Sequence, residues 1–256
     1  MLLAVDVGNT NIVIGACNSS YDLVFKACIA TSKEKTFEQY AVEIKNILEL
    51  FNVDKGLIEG SIISSVALPL TSAIRKAVEL VTSTKPLIIG PGIKTGLNIK
   101  IDNPAQLGSD LVVGAVAALD EYRPPLIIFD LGTATTASVI DEHKNFLGGT
   151  IFPGVNISLE ALSSRTSQLP HIGISDPGDI IGKNTVDSMK SGIIYGSAAM
   201  IDGMVAMIEE EIGAKAQIIA TGGLAEMIIP YCKSDIHIDS DLMLKGLCLV
   251  YEKNLR

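Results

Sequence analysis

The chain has 256 residues, 48% of them apolar, enough for a substantial core in two compact domains or one large one. A net charge of −9 with no basic block argues against nucleic acid as a main partner, but leaves room for a small anion held by local amides. No uninterrupted apolar run is long enough to span a bilayer, and no basic segment or cleavage site precedes the first strand pattern. A cytoplasmic protein without membrane contact is therefore expected.

Strand patterns at 2–6, 12–17 and 21–29 predict three successive antiparallel strands joined by short turns. Apolar residues at helical spacing over 36–51 predict a helix, with Thr36 as its cap. Residues 60–66 (GSIISSV) read as a buried strand, and Pro69 starts a helix over 69–82. KPLIIG is a short strand, followed by the loop-like GPGIKTGLNIKIDNP and a helix over 108–121 that ends ahead of Pro124 and Pro125.

The pattern then restarts. LIIFDLGTATTASV repeats the opening LLAVDVGNTNIVIG: apolar run, Asp, apolar residue, Gly, small polar residues, Thr. Its acid, Asp130, lies 124 residues after Asp6. Helical stretches follow at 153–163 and 180–212, then a strand ending in Thr221-Gly222-Gly223, and a last helix over 239–253. A duplicated β-β-β-α unit explains the recurrence, giving an α/β chain of two similar domains, 1–117 and 118–256, flanking a cleft.

Turn chemistry alone accounts for Gly8, Asn9 and Asn11, which tolerate positive φ and can point successive N–H groups inward as an anion nest. It does not account for an acid at both strand ends. Asp6 is badly placed beside a bare phosphate but well placed if Mg²⁺ or its water shell lies between them. Four widely spaced cysteines (Cys17, Cys28, Cys232, Cys248) lack metal-site spacing, and reduced thiols are expected rather than a disulfide framework. GDIIGKNT is one residue short of a P-loop and has Asn184 where Ser or Thr binds the metal. His143, His171 and His237 show no zinc spacing. The apolar stripe through Met189, Met200, Met204 and Met207 suits either a core helix or one packed across a subunit interface.

DVGNT, DLGTATT and TGG resemble the two phosphate loops and the adenosine loop of the actin-like (ribonuclease H-like) ATPase and sugar-kinase superfamily. In order along the whole chain, NPAQLGSD, DLGTATT, GGTIFPG, LPHI and GKNTVDSMKSGIIYG resemble the type III pantothenate kinases. The resemblance implies ATP-dependent phosphorylation of pantothenate, the first step of coenzyme A synthesis, by a homodimer needing a monovalent cation, K⁺ or NH₄⁺. It implies that Asp6, Val7, Gly8, Asn9, Thr10, Asn11, Ile12 and Val13 contact ATP with its Mg²⁺, together with Thr133, Gly222 and Gly223. Asp130 would hold the monovalent cation. Asp110 would be the general base, and Gly108, Ser109, Asp110, Leu111 and Thr185 would contact substrate, Thr185 in the neighbouring subunit's site.

Bland alternatives stand beside these roles. Ser109, Asp110 and Thr185 all precede helical runs, where small polar residues serve as caps. Family members usually read G-A-D-R, whereas Leu111 follows Asp110 here, and leucine cannot hold a carboxylate as a guanidinium does. Some members also carry an aromatic side chain near the position of Ile101. Either Lys100, Lys183 or Arg165 takes the arginine's part, or the substrate is another small hydroxy compound, or the chain is a nucleotide-binding regulatory relative.

Overall fold

LLAVDV, buried almost throughout, forms the central strand of the first of two sheets, β1 (Leu2–Val7). In the computed structural model, which describes residues 1–20 and 22–255, the chain divides into two units. The first comprises Met1–Leu97, Asp102–Asp120 and Asp241–Arg256, and the second Asn98–Ile101 and Glu121–Ser240.

In the first unit, β1 pairs antiparallel with β2 (Asn11–Cys17), which pairs with β3 (Leu23–Ala30). Tyr21, the first residue of the strand expected at 21–29, lies outside the described residues. On its other side β1 runs parallel to β4 (Gly60–Ser65), followed by β5 (Leu87–Ile88), so the order is β3-β2-β1-β4-β5. Helix α1 (Phe37–Leu50) starts at a complete capping box of Thr36 and Gln39, and α2 (Leu68–Thr82) has Pro69 in its first turn. Both cover one face of the sheet: Leu3, Val5, Val7, Ile12 and Ile14 form one core with Tyr40, Ile44, Leu48, Ile74 and Val78. The opposite parity of the same strands, Leu2, Ala4 and Ile62, packs on Val113 and Val116 of α3 (Ser109–Glu121) and on Leu244, Leu247 and Val250 of α7 (Leu242–Leu255).

The second unit repeats this plan. Its sheet, containing β7 (Leu126–Leu131), β8 (Ala134–Ile140), β9 (Asn145–Pro153), β10 (Gln217–Thr221) and β11 (Ile236–Ile238), has the order β11-β10-β7-β8-β9, with β6 (Asn98–Ile99) added at its edge. Strand β7 matches β1 with Asp130 in the place of Asp6, antiparallel to β8 and parallel to β10. After β9 come α4 (Val155–Arg165) and α5 (Thr185–Ile212), and α6 (Ala225–Ile228) follows β10. By length and composition α5 could cross a membrane. Its Ile194, Ala198, Ile201 and Val205 nevertheless belong to the core formed with Ile127, Phe129 and Ile218 of the sheet, as in a helix of a globular domain.

Several details depart from the expectations. The loop-like stretch after KPLIIG supplies β6, and β11 is an additional strand; both are too short to give a period. Helix α7 packs with the first unit, although it follows the second in sequence. The expectation of reduced thiols holds for Cys28 and Cys232 only. Cys17 at the end of β2 is bonded to Cys248 of α7, a link across 231 residues that spacing cannot reveal.

Candidate active site

Strand parity aims Asp6 at α3. Leu2 and Ala4 face the α3 and α7 side, so Asp6, two residues further, does too. In the parallel pair β1/β4, Asp6 lies opposite Ser64, whose hydroxyl hydrogen-bonds the Asp6 carboxylate. Ser64 Oγ is 3.0 Å from Ser109 Oγ, and the Ser65 N–H donates to Ser109 Oγ at 3.2 Å. The neighbour of Ser109, Asp110, accepts the Leu111 N–H on Oδ1 at 2.8 Å. The cap reading of this pair is thus only partly met: Ser109 is the first residue of α3 rather than its cap, its hydroxyl bonds to β4, and Asp110 meets one first-turn N–H. A Cβ at Gly108 would run into Asp110 Oδ1 and push that carboxylate aside.

Two carboxylates therefore share one end of the first unit's sheet. Burial pushes Asp6 up to about 6, against relief from the Ser64 hydroxyl and with a further push from the Asp110 charge. Burial also raises Asp110, partly offset by the backbone N–H groups at Leu111 and at Asp110 itself. Among the described residues no ion pair involves either acid. Such a pair fits a cation. No three His, Cys, Asp or Glu side chains cluster as a metal site among the described residues, so the fit is to Mg²⁺ arriving with a ligand and met by one or two carboxylates.

This predicts a pH-dependent stability. Because the folded pKa of Asp6 is raised, its burial opposes folding when the group is ionised, by about 3 kcal/mol at neutral pH. The folded chain takes up the proton first, so the penalty fades as pH falls through about 6 toward the ordinary value of 3.8. Without nucleotide, Asp6→Asn is expected to melt several degrees higher than wild type at pH 7.5, roughly 5 °C, to lose somewhat under half of that gain at pH 5, and to lose most of it only near pH 4. An equal difference at all three pH values contradicts the assignment.

The turn after Asp6 departs from the expected nest. Gly8, Asn9 and Asn11 are not among the positive-φ residues. The Gly8 N–H is already engaged, donating to Asn11 O at 2.9 Å, and Gly8 is required because a Cβ would stand 2.9 Å from that oxygen. Thr31 ties the turn down, its hydroxyl donating to Gly8 O and its N–H to Thr10 O. Asn9, Thr10 and Asn11 are exposed at the tip, whereas Val7 and Ile12 are buried in the core and Val13 packs against the α3/α7 core, so these three shape the turn.

In the second unit, Gly132 donates to Ala134 O at 3.1 Å, closing a turn one residue shorter than the first. Asp130 lies opposite Thr136 on β8 and Thr221 on β10. The Thr136 hydroxyl oxygen is buried without a hydrogen-bond partner, and side chains directly opposite on antiparallel strands share a face. A carboxylate beside an orphaned oxygen fits a cation that takes oxygen ligands. Gly222, at φ 93°, has its Cα against Asp130 and Leu131, and exposed Gly223 follows it. Thr133 is exposed at the turn. Behind it Gly154 packs so closely on the Gly132 and Thr133 carbonyls that a Cβ cannot fit.

Thr185 is not a cap. Asn184 holds that place, accepting the Asp187 N–H at 3.0 Å, and Thr185 is the first helical residue of α5. It lines an open cavity of about 690 Å³ between α4 and α5, with Lys183, Asn184, Ser188 and the apolar Leu162 and Met189. Lys183, one candidate for the missing arginine's part, is therefore beside Thr185, whereas Leu111 belongs to the other unit and is half-buried at the start of α3. Sequence reasoning missed Ser64 and Gly154. The only sign of Ser64 was a polar pair ending an apolar strand.

A sequence model of the type III pantothenate kinase family matches residues 2–207. A type III pantothenate kinase of Halalkalibacterium halodurans is 44% identical over the full length of both chains, and further relatives of the same description are 43–45% identical. Among solved structures, a candidate Baf family transcriptional activator from Campylobacter jejuni superposes with a TM-score of 0.61 at 18% identity, covering 99% of this chain and 98% of its own. The (R)-2-hydroxyglutaryl-CoA dehydratase component A of Acidaminococcus fermentans gives 0.60 at 14% identity, over 100% and 99%. At such identities the structures speak for the fold alone, a mixed α/β fold with two sheets. Near-complete sequence matches say more: the chain belongs to the type III pantothenate kinase family.

Proposed function

We propose that this chain transfers the γ-phosphoryl group of MgATP to the hydroxyl of pantothenate, giving 4'-phosphopantothenate for coenzyme A synthesis in the cytoplasm. The observation that carries it is the pair of desolvated carboxylates, Asp6 and Asp110, in a chain aligned end to end with pantothenate kinases. Asp110 accepts the proton of the attacking hydroxyl; burial raises its pKa above that of a free carboxylate, which makes it a stronger base. Gly108, Ser109 and Leu111 surround that base and hold the acceptor, and Thr185 contacts substrate across a homodimer. Asp6 faces the nucleotide's metal, while Gly8, Asn9, Thr10, Asn11, Thr133, Gly222 and Gly223 approach the nucleotide itself and Val7, Ile12 and Val13 shape the turn behind them. Mg²⁺ brought with ATP neutralises charge on the β- and γ-phosphates.

Asp130 with the Thr136 oxygen is the monovalent-cation site in this reading, offsetting phosphate charge in a protein with a net charge of −9. The homodimer reading is supported by exposed apolar side chains of the second unit, among them Ile151, Ile180, Ile181 and Met207. ATP consumption is expected to require pantothenate and K⁺ or NH₄⁺, and to fall about tenfold or more in Na⁺. Asp130→Asn should remove the response to the cation. Equal wild-type rates in K⁺ and Na⁺, or an undiminished response to K⁺ in Asp130→Asn, would reject the cation site.

A further inference from the structure

Ser64 is a fully buried polar side chain at the end of an apolar strand, and no role above uses it. Its surroundings fix the direction of each hydrogen bond. An ionised Asp6 can only accept, so the Ser64 hydroxyl donates to it. Ser64 Oγ then offers lone pairs to Ser109, 3.0 Å away, so the Ser109 hydroxyl donates to Ser64. Ser109 Oγ in turn accepts the Ser65 N–H. The result is a one-way chain, Ser65 N–H to Ser109 to Ser64 to the Asp6 carboxylate, with every proton assigned. The Ser65 end is itself anchored, because Thr71 of α2 donates to Ser65 Oγ at 2.8 Å.

We propose that Ser64 is a positioning residue for phosphoryl transfer: its hydroxyl ties the Asp6 carboxylate to the first turn of the helix that carries Asp110. The two acids come from segments 104 residues apart, and their like charges repel. Strand geometry sets the backbone of Asp6 but not its rotamer, and apolar contacts, being non-directional, fix the start of α3 less sharply than a hydrogen bond does. The hydrogen-bonded chain removes both freedoms. A transfer that depends on placing the acceptor against an in-line phosphate is sensitive to such small displacements.

The inference rests on the kinase reading, and steady-state kinetics of the full chain with ATP, pantothenate and K⁺ separate the two. Ser64→Ala is expected to lower kcat about tenfold or more, with both KM values within about threefold of wild type. In the cycle with Ser109→Ala, the double variant is expected to be no slower than the slower single variant, since either change breaks the same chain. Wild-type kcat in Ser64→Ala, a loss carried by KM, or losses that multiply in the double variant would overturn the role of Ser64. If Ser64→Ala does not fold, Ser64→Cys, which fills the same site but donates only weakly, must show the kcat loss with both KM values within about threefold of wild type; wild-type kcat there overturns the proposal equally. A wild-type protein inactive on pantothenate rejects the kinase reading itself, and with it this inference.

Discussion

Asp110→Asn is expected to lower kcat by about 10²–10⁴-fold while leaving the affinity for MgATP within about threefold of wild type. The substitution is nearly isosteric. An asparagine oxygen can still accept the Leu111 N–H that Asp110 Oδ1 accepts at 2.8 Å, so the start of α3 keeps its geometry. What disappears is the group that takes the hydroxyl proton. The variant also removes a negative charge that raises the pKa of Asp6, so the acid that faces the metal in this reading ionises more readily. Calorimetric titration with MgATP and pantothenate-dependent turnover measure the two effects separately. Turnover within tenfold of wild type would take Asp110 out of the proton's path.

Gly222→Ala is expected to have the largest effect on stability, a loss of about 2–4 kcal/mol by urea denaturation. Its φ of 93° is a conformation alanine adopts only under strain. The added Cβ would also collide with Asp130 Oδ1 and stand 2.6 Å from Leu131 N and 2.7 Å from Leu131 C. The Leu131 atoms are backbone at the end of the central strand β7, next to its pairing with β10, so a side-chain rotation cannot relieve the clash. Asp130 must shift as the strands part, and the cation response should be lost with it. Gly223→Ala is the control, since its Cβ meets nothing within 4 Å; its stability should stay within about 0.5 kcal/mol of wild type. Equal stabilities for the two variants would mean that the close approach at Gly222 is not rigid.

The hairpins and their acids were legible in the sequence because each signal is local. An all-apolar run, an acid and a glycine within a few residues locate both β1 and β7, and their common strand order bears out the duplication. Thr36 and Gln39 likewise announced α1 through a box that needs only four residues. What stayed hidden depends on distant parts of the chain. The bond of Cys17 to Cys248 and the packing of α7 on the first unit join segments more than two hundred residues apart, with no periodicity to advertise them. Ser64 reads as a strand-end serine until β4 lies against β1 in register. Gly8 was legible as necessary but for the wrong reason: the sequence suggested a special φ, whereas the constraint is the Asn11 oxygen beside its Cα. Asn184 displaced Thr185 as the cap of α5 because the two adjacent residues give nearly the same sequence signal.

Mass spectrometry of a reaction containing the purified protein, MgATP, pantothenate and K⁺ or NH₄⁺ tests the central claim most directly. The account predicts a product heavier than pantothenate by one phosphoryl group, formed in step with ADP and absent when pantothenate is omitted. ATP hydrolysis without that product, or no turnover at all with either cation, would contradict it.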